Sequence, residues 1–304
     1  MNRPPAAVVF GPMRLPFLLL TPACLAVGVA SAWRDGAVLE PLALVLVLVG
    51  GVAAHVAVNA LNEFHDARSG LDATTTPTPF SGGSQALPRH PGWEPVALAT
   101  GLAALAVVAA AGIVLTLRVG LGLLAIGLAG VVLITSYTPI VTRLPWLCLA
   151  APGLGFGTVM VLGAAYAVAG DISPTAVLAS FVPFFLVSNL LLLNQFPDRE
   201  PDRRVGRRHL VITAGPRLAA RVYSAQLALA YLTVLVGWLA AGWSAWTLLA
   251  WATVPLAVAA ARRAARHPES LPELVPALAQ NVLVNLLTPA LLALGLFLGG
   301  RATA

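Results

Sequence analysis

Long apolar runs separated by short polar breaks set the rhythm of this chain. Runs long enough to cross a bilayer as helices lie near residues 14–33, 37–61, 94–117, 119–137, 145–169, 174–196, 217–241, 243–261 and 274–299. This pattern predicts an all-α integral membrane protein with nine transmembrane helices. Arg14 and the apolar stretch ending near Ala30, Ser31 and Ala32 resemble a secretory leader, but eight more runs follow, so the first run is read as an uncleaved helix. The runs divide into two halves, roughly 14–137 and 145–261, with a ninth helix at 274–299, all within one polytopic domain over 1–304.

Polar positions interrupt this pattern in two places. His55, Asn59, Asn62 and Asp66 follow one another at intervals of four, three and four residues, which puts them on one face of the second helix as it leaves the membrane. Gly70 can end that helix and let Asp72 fold back towards the same face. Acids are disfavoured at a helix C-terminus by the helix dipole, so simple surface decoration explains them poorly. Asn194 and Asp198 share a face at the end of the sixth run, and Pro197 and Pro201 bend the chain so that Asp202 can converge on them. An even number of crossings separates the clusters, which places them on the same side of the membrane.

Composition sharpens the contrast. Hydrophobic residues make up 59% of 304 residues and charged residues only 10%, so four carboxylates at two matched membrane edges are costly and point to function. All basic residues are arginine. Arg3, Arg14, Arg68, Arg89, Arg143, the series from Arg199 to Arg221, and Arg262, Arg263 and Arg266 fall on one side of a nine-span arrangement. Arg34, Arg118 and Arg301 fall on the other. The positive-inside rule then predicts a cytoplasmic-membrane protein with its N-terminus and both acidic clusters inside and its C-terminus outside. The net charge of +6 reads as topology and contact with anionic lipid, not as nucleic-acid binding. Cys24 and Cys148 are far apart within or near apolar runs and read as packing residues.

Oxygen ligands at two sites with no Cys or His cluster favour Mg²⁺ over zinc or copper. Arg203, Arg204, Arg207 and Arg208 follow the second cluster directly, and arginine beside carboxylates suits the oxygens of a diphosphate. Part of this basic group also answers to topology alone. Between the first cluster and the third run, residues 73–93 form a long loop carrying Pro77, Pro79, Ser81, Gly82, Gly83, Ser84 and Pro88. It can close over a ligand, and its glycine pair reads either as a phosphate-binding turn or as a hinge. His55 reads as a polar bridge between helices or as a ligand.

With these residues in view, the chain resembles the UbiA superfamily of intramembrane prenyltransferases over nearly its whole length. Asn62, Asp66 and Asp72 match the family's first motif, with a spacing similar to the 1,4-dihydroxy-2-naphthoate (menaquinone-type) branch. Asn194, Asp198, Asp202, Gly206 and Leu210 match the second, with Arg207 where the family commonly has Lys and His209 where it has Thr. Tyr137 with Thr138, and the stretch from Gly157 to Tyr166, add to the likeness. Glu63 departs from the usual Asp, and Cys148 to Pro152 lack the usual Gly-Glu.

The resemblance implies nine helices around a central cavity and Mg²⁺-dependent transfer of a prenyl group from an isoprenyl diphosphate to an aromatic acceptor, 1,4-dihydroxy-2-naphthoate or a related quinone precursor. It assigns Asp66, Asp72, Asp198 and Asp202 to catalysis and metal binding, and Asn59, Asn62, Arg68, Tyr137, Asn194, Arg207 and Arg208 to substrate binding. A terpene cyclase or a transferase for another lipid acceptor is the alternative within the superfamily. A cation-coupled transporter would place its acids nearer mid-bilayer. A CDP-alcohol phosphotransferase would need a contiguous motif of which only Asp66, Ala67 and Arg68 are faintly present.

Overall fold

The computed structural model describes residues 4–301. Eight helices are long and apolar enough to cross a membrane: α1 (Ala6–Arg34), α2 (Pro41–Ser69), α3 (Glu94–Val119), α5 (Pro145–Ala169), α6 (Pro174–Asn194), α7 (Pro216–Ala240), α8 (Ala245–Arg266) and α9 (Leu271–Leu298). The ninth apolar helix among the described residues, α4 (Gly122–Ser136), has 15 residues and so rises only about 22 Å, short of a bilayer core. The expected set of nine is therefore eight full spans and one shorter helix.

Local chemistry sets the boundaries. Pro41, Pro145, Pro174 and Pro216 open their helices, where a missing N–H costs nothing. Ser173 caps α6 by accepting a hydrogen bond from the Ala176 N–H at 3.1 Å. Gly70 ends α2 at φ 75°, in the left-handed region, as the sequence predicts. The α2 helix thus carries Asn62 and Asp66 on beyond the apolar run that defines it, on the same face as Asn59 within it.

Consecutive helices pack side by side from α1 to α9, and α9 returns to α1, closing a ring. Trp33 of α1 stacks on Phe297 of α9 at 4.2 Å to seal that closure. Small residues permit close approach where lipid gives no hydrophobic drive for helices to associate. Pro152 removes one N–H from the α5 ladder, and the following turn, Leu154–Met160, is a wider π-helix. That turn lays Gly157 against the backbone of Phe184 on α6.

The charged residues sort by end. Arg34 donates to the Gly242 carbonyl at 2.7 Å and to Thr175 Oγ1 at 3.0 Å, Arg301 reaches the Ala37 carbonyl, and Arg118 pairs with Glu40. The three arginines assigned to the less basic side thus sit at one end of the bundle, opposite the acidic clusters.

A Cβ added at Gly157 would lie 2.3 Å from the Phe184 nitrogen, whereas one at Gly127 would meet nothing within 4 Å. Gly157→Ala is expected to destabilise the detergent-solubilised protein by about 1–3 kcal/mol, and Gly127→Ala to leave it unchanged. Thermal unfolding of both variants checks this.

Candidate active site

Two joined chambers open between the helices. The inner one has a volume of about 200 Å³ and is walled mainly by apolar side chains from α1, α2, α4, α5, α6 and α9, among them Phe17, Leu133, Phe156 and Leu286. The outer one, about 90 Å³, is lined by Asp66, Asp72, Asp198 and Asp202. Arg14, Asn62, Phe80, Tyr137, Leu191 and Asn194 line both, so the chambers are continuous.

Arg207 is the hub of the outer chamber. One guanidinium nitrogen donates to Asp202 Oδ1 at 2.9 Å and another to Asp66 Oδ1, 141 residues before Arg207, so one side chain joins the two acidic clusters. The second oxygen of Asp202 meets His209 Nε2 at 3.0 Å. Asp72 Oδ2, Asp198 Oδ1 and Asn194 Oδ1 are buried with no partner among the described residues. Unpaired buried oxygens are rare, and here they share one chamber. An all-oxygen donor set of this kind fits a hard divalent cation.

The loop over residues 73–93 covers this chamber. Gly82 and Gly83 have φ of 85° and 73°, and Gly83 lies so close to Asp72 that a Cβ there would fall 2.8 Å from its Oδ1. Glycine is required at that point by both conformation and space. Gln85 Nε2 donates to the Asp72 and Gly82 carbonyls at 3.2 and 2.6 Å. Glu63, fully buried, fastens the middle of the loop: it accepts from the Ser84 N–H at 2.8 Å and from Ser84 Oγ at 2.7 Å. Arg14 completes that knot with Nε 2.9 Å and Nη2 2.8 Å from Glu63 Oε1.

Arg14 reaches Glu63 because the start of α1 is broken. It holds φ 51° between two 3₁₀ turns, Gly11–Met13 and Leu15–Leu19. From sequence alone Arg14 reads as a leader-like flank or a topology charge, and Glu63 as a departure from a motif. Their pairing was readable in one respect, since each is a charge placed within or beside an apolar run and needs a partner.

The remaining candidates divide. Asn59 donates to the Met13 carbonyl at 3.1 Å and Asn62 to Thr138 Oγ1 at 3.1 Å, and both line the inner chamber with Tyr137 and Asn194. Arg68 and Arg208 line neither chamber. Arg68 is exposed and lies over the Phe64 ring at 5.5 Å. Arg208 is exposed between Arg207 and His209, which both line the chamber, in a stretch outside any helix. Its backbone N–H holds the Thr142 carbonyl at 2.9 Å. His55 lines the inner chamber, with Nδ1 2.9 Å from Thr21 Oγ1.

Burial, aided by the negative charges of Glu63 and Asp66, pushes the Asp72 carboxyl up to about 8. Burial and the neighbouring Asp202 push Asp198 up to about 7, against the opposing effects of the Ser81 hydroxyl and of Arg207. Arg207 is itself held above its ordinary value: its own burial opposes this, but the Asp66 and Asp202 charges outweigh it.

Residues 19–275 match the model of the UbiA prenyltransferase family. A 1,4-dihydroxy-2-naphthoate octaprenyltransferase from Bacillus subtilis (strain 168) is 29% identical over 210 residues, which cover 68% of this chain and 66% of that relative's length. The apo structure of a UbiA homolog from Aeropyrum pernix K1 superposes with a TM-score of 0.68 at 20% identity, covering 91% of this chain and 97% of the other. A UbiA homolog from Archaeoglobus fulgidus, bound to GPP and Mg²⁺, gives a TM-score of 0.64 at 16% identity, with 95% and 99% covered.

The raised Asp72 and Asp198 values mean that the folded protein keeps protons that the unfolded chain releases near pH 4. Stability without divalent cation is therefore expected to fall as pH rises from about 4 through about 8, and then to level off. Thermal unfolding in detergent should show a lower midpoint at about pH 8.5 than at about pH 6, with a smaller difference in Asp72→Asn and Asp198→Asn. Equal pH dependence in wild type and both variants would contradict the assignment.

Proposed function

The chain belongs to the UbiA prenyltransferase family, and from that premise we propose that it transfers a prenyl group from an isoprenyl diphosphate to an aromatic acceptor, 1,4-dihydroxy-2-naphthoate or a related quinone precursor. One observation carries this reading: an apolar chamber opens directly into an acid-lined one through shared residues. That shape suits a molecule with an apolar tail and a highly charged head. The relative named as a 1,4-dihydroxy-2-naphthoate octaprenyltransferase supports the acceptor class.

Asp66, Asp72, Asp198 and Asp202 would hold Mg²⁺, which when bound offsets negative charge on the diphosphate oxygens. Among the described residues no three Asp, Glu, His or Cys side chains form a ready-made cation cage, which is consistent with a shell completed by diphosphate oxygens. Arg207 sits between Asp66 and Asp202, and its positive charge would offset the negative charge that grows on the leaving group as the carbon–oxygen bond breaks. Asn62 and Asn194 stand at the junction of the chambers, where head and tail of the substrate meet. The apolar wall excludes water from the allylic cation until the electron-rich ring attacks it. In the naphthoate case the attacked ring carbon bears the carboxylate, which leaves as carbon dioxide.

Purified enzyme given an isoprenyl diphosphate, Mg²⁺ and a panel of hydroxylated aromatic acids is expected to form a prenylated product. Asp66→Ala and Asp198→Ala should each lower turnover by about a hundredfold or more while the protein still folds and inserts. Arg207→Ala should lower turnover more than diphosphate binding, and Arg207→Lys should recover much of the loss as a point charge. Consumption of the diphosphate with no need for an acceptor would instead indicate a cyclase, and near-normal turnover in either aspartate variant would refute the site.

The arginine asymmetry supports placing the acidic end in the cytoplasm and the C-terminus outside, in the cytoplasmic membrane. Both native thiols are buried, so new cysteines can be read against a low background. A membrane-impermeant maleimide added to intact cells is expected to label Asp171→Cys and to spare Arg89→Cys. The reverse pattern would invert the topology.

A further inference from the structure

A buried polar network lies between α6, α7 and α9, beside the inner chamber. Tyr223 Oη donates to Asn281 Oδ1 at 3.1 Å, Asn281 Nδ2 to the Asn189 carbonyl at 3.3 Å, and Asn189 Nδ2 to the Tyr223 carbonyl at 2.8 Å. Asn189, Tyr223 and Asn281 are completely buried. One turn further along α9, Asn285 Nδ2 donates to the Asn281 carbonyl at 2.9 Å and lies 3.2 Å from Asn281 Oδ1.

This contact fixes which way the Asn285 amide faces. A backbone carbonyl can only accept, so the nitrogen must point at Asn281 and the oxygen away from it. Asn285 Oδ1 then has no partner among the described residues, although the residue is only 1% exposed and lines the inner chamber. The network holds Asn285 rigidly in the wall of a mainly apolar cavity, with its Oδ1 unpartnered. A buried acceptor left unpaired is unfavourable, so the site is completed by a ligand that brings a donor. An isoprenoid tail has none. A phenolic ring has one in each hydroxyl group.

We propose that Asn285 Oδ1 accepts a hydrogen bond from a ring hydroxyl of the aromatic co-substrate, which makes Asn285 a specificity-determining residue of the acceptor subsite. The inference rests on the prenyl-transfer reading and deepens it. Tyr223 and Asn281 act as positioning residues that hold the Asn285 amide in its orientation. The inner chamber is then divided, with the tail against the apolar helices and the hydroxylated ring against α9.

The test compares inhibition constants of the aromatic acceptor's analogues, each lacking one ring hydroxyl, with those of the fully hydroxylated parent. In the wild-type enzyme, loss of one particular hydroxyl is expected to weaken inhibition about tenfold or more. In Asn285→Leu that ratio should collapse to near one, with acceptor KM raised and isoprenyl-diphosphate KM unchanged. Wild-type enzyme that does not distinguish the analogues overturns the proposal without recourse to a variant that folds poorly. A preserved ratio in Asn285→Leu overturns it as well, and so does a change confined to isoprenyl-diphosphate KM, which would give the residue to the tail. If the wild-type enzyme prenylates no hydroxylated aromatic at all, the prenyl-transfer reading fails first. Intact prenylation with an unchanged ratio removes this inference alone.

Discussion

A single guanidinium holds the outer chamber together. Arg207 reaches Asp66 at the end of α2 and Asp202 in the short helix after α6, so that two acidic segments that would repel one another share one cation. Arginine suits this position because its planar fork serves two carboxylates at once and stays charged when buried. Everything else in the chamber is arranged around that bridge: His209 on the second oxygen of Asp202, the glycine turn against Asp72, and Asp198 beside Ser81. Remove the arginine and the two segments keep their buried negative charges without compensation, which is among the costlier changes a protein can suffer.

A second charge pair works at the neighbouring boundary for a different end. Arg14 and Glu63 neutralise each other where α1 is broken, and through Ser84 they fix the middle of the covering loop. Gly83 and Gln85, on either side of Ser84, bear on Asp72. Charge neutralisation thus doubles as loop anchoring, and the apolar chamber keeps its water-excluding wall beside a strongly polar one.

The helices were legible in the sequence because bilayer thickness imposes a length that apolar runs must satisfy, and Gly70 was legible as a terminator because of its left-handed backbone. The convergence of Asp66, Asp72, Asp198 and Asp202 on one chamber followed from spacing and crossing parity. Less could be read where side-chain direction depends on non-helical backbone. Arg207 and Arg208 are adjacent and alike in chemistry, and only the non-helical backbone after the short helix decides that Arg207 lines the chamber while Arg208 is exposed. Arg68 was drawn to the cluster by proximity in sequence but rests on Phe64 instead. Asn285 gave no signal, because an asparagine within an apolar run looks like any helix-bridging amide until its neighbours show which of its two atoms is spare.

The 141-residue interval between Asp66 and Arg207 also orders events during biosynthesis. At roughly 5–20 residues per second, the ribosome needs on the order of ten seconds after Asp66 emerges before its counter-ion exists. Over that interval α2 through α6 are already made, and the first acidic segment must wait at the membrane edge hydrated and uncompensated. The outer chamber therefore cannot be assembled from the first half of the chain alone. Its completion coincides with the arrival of the segment after α6, which ties the maturation of the site to a late step of translation.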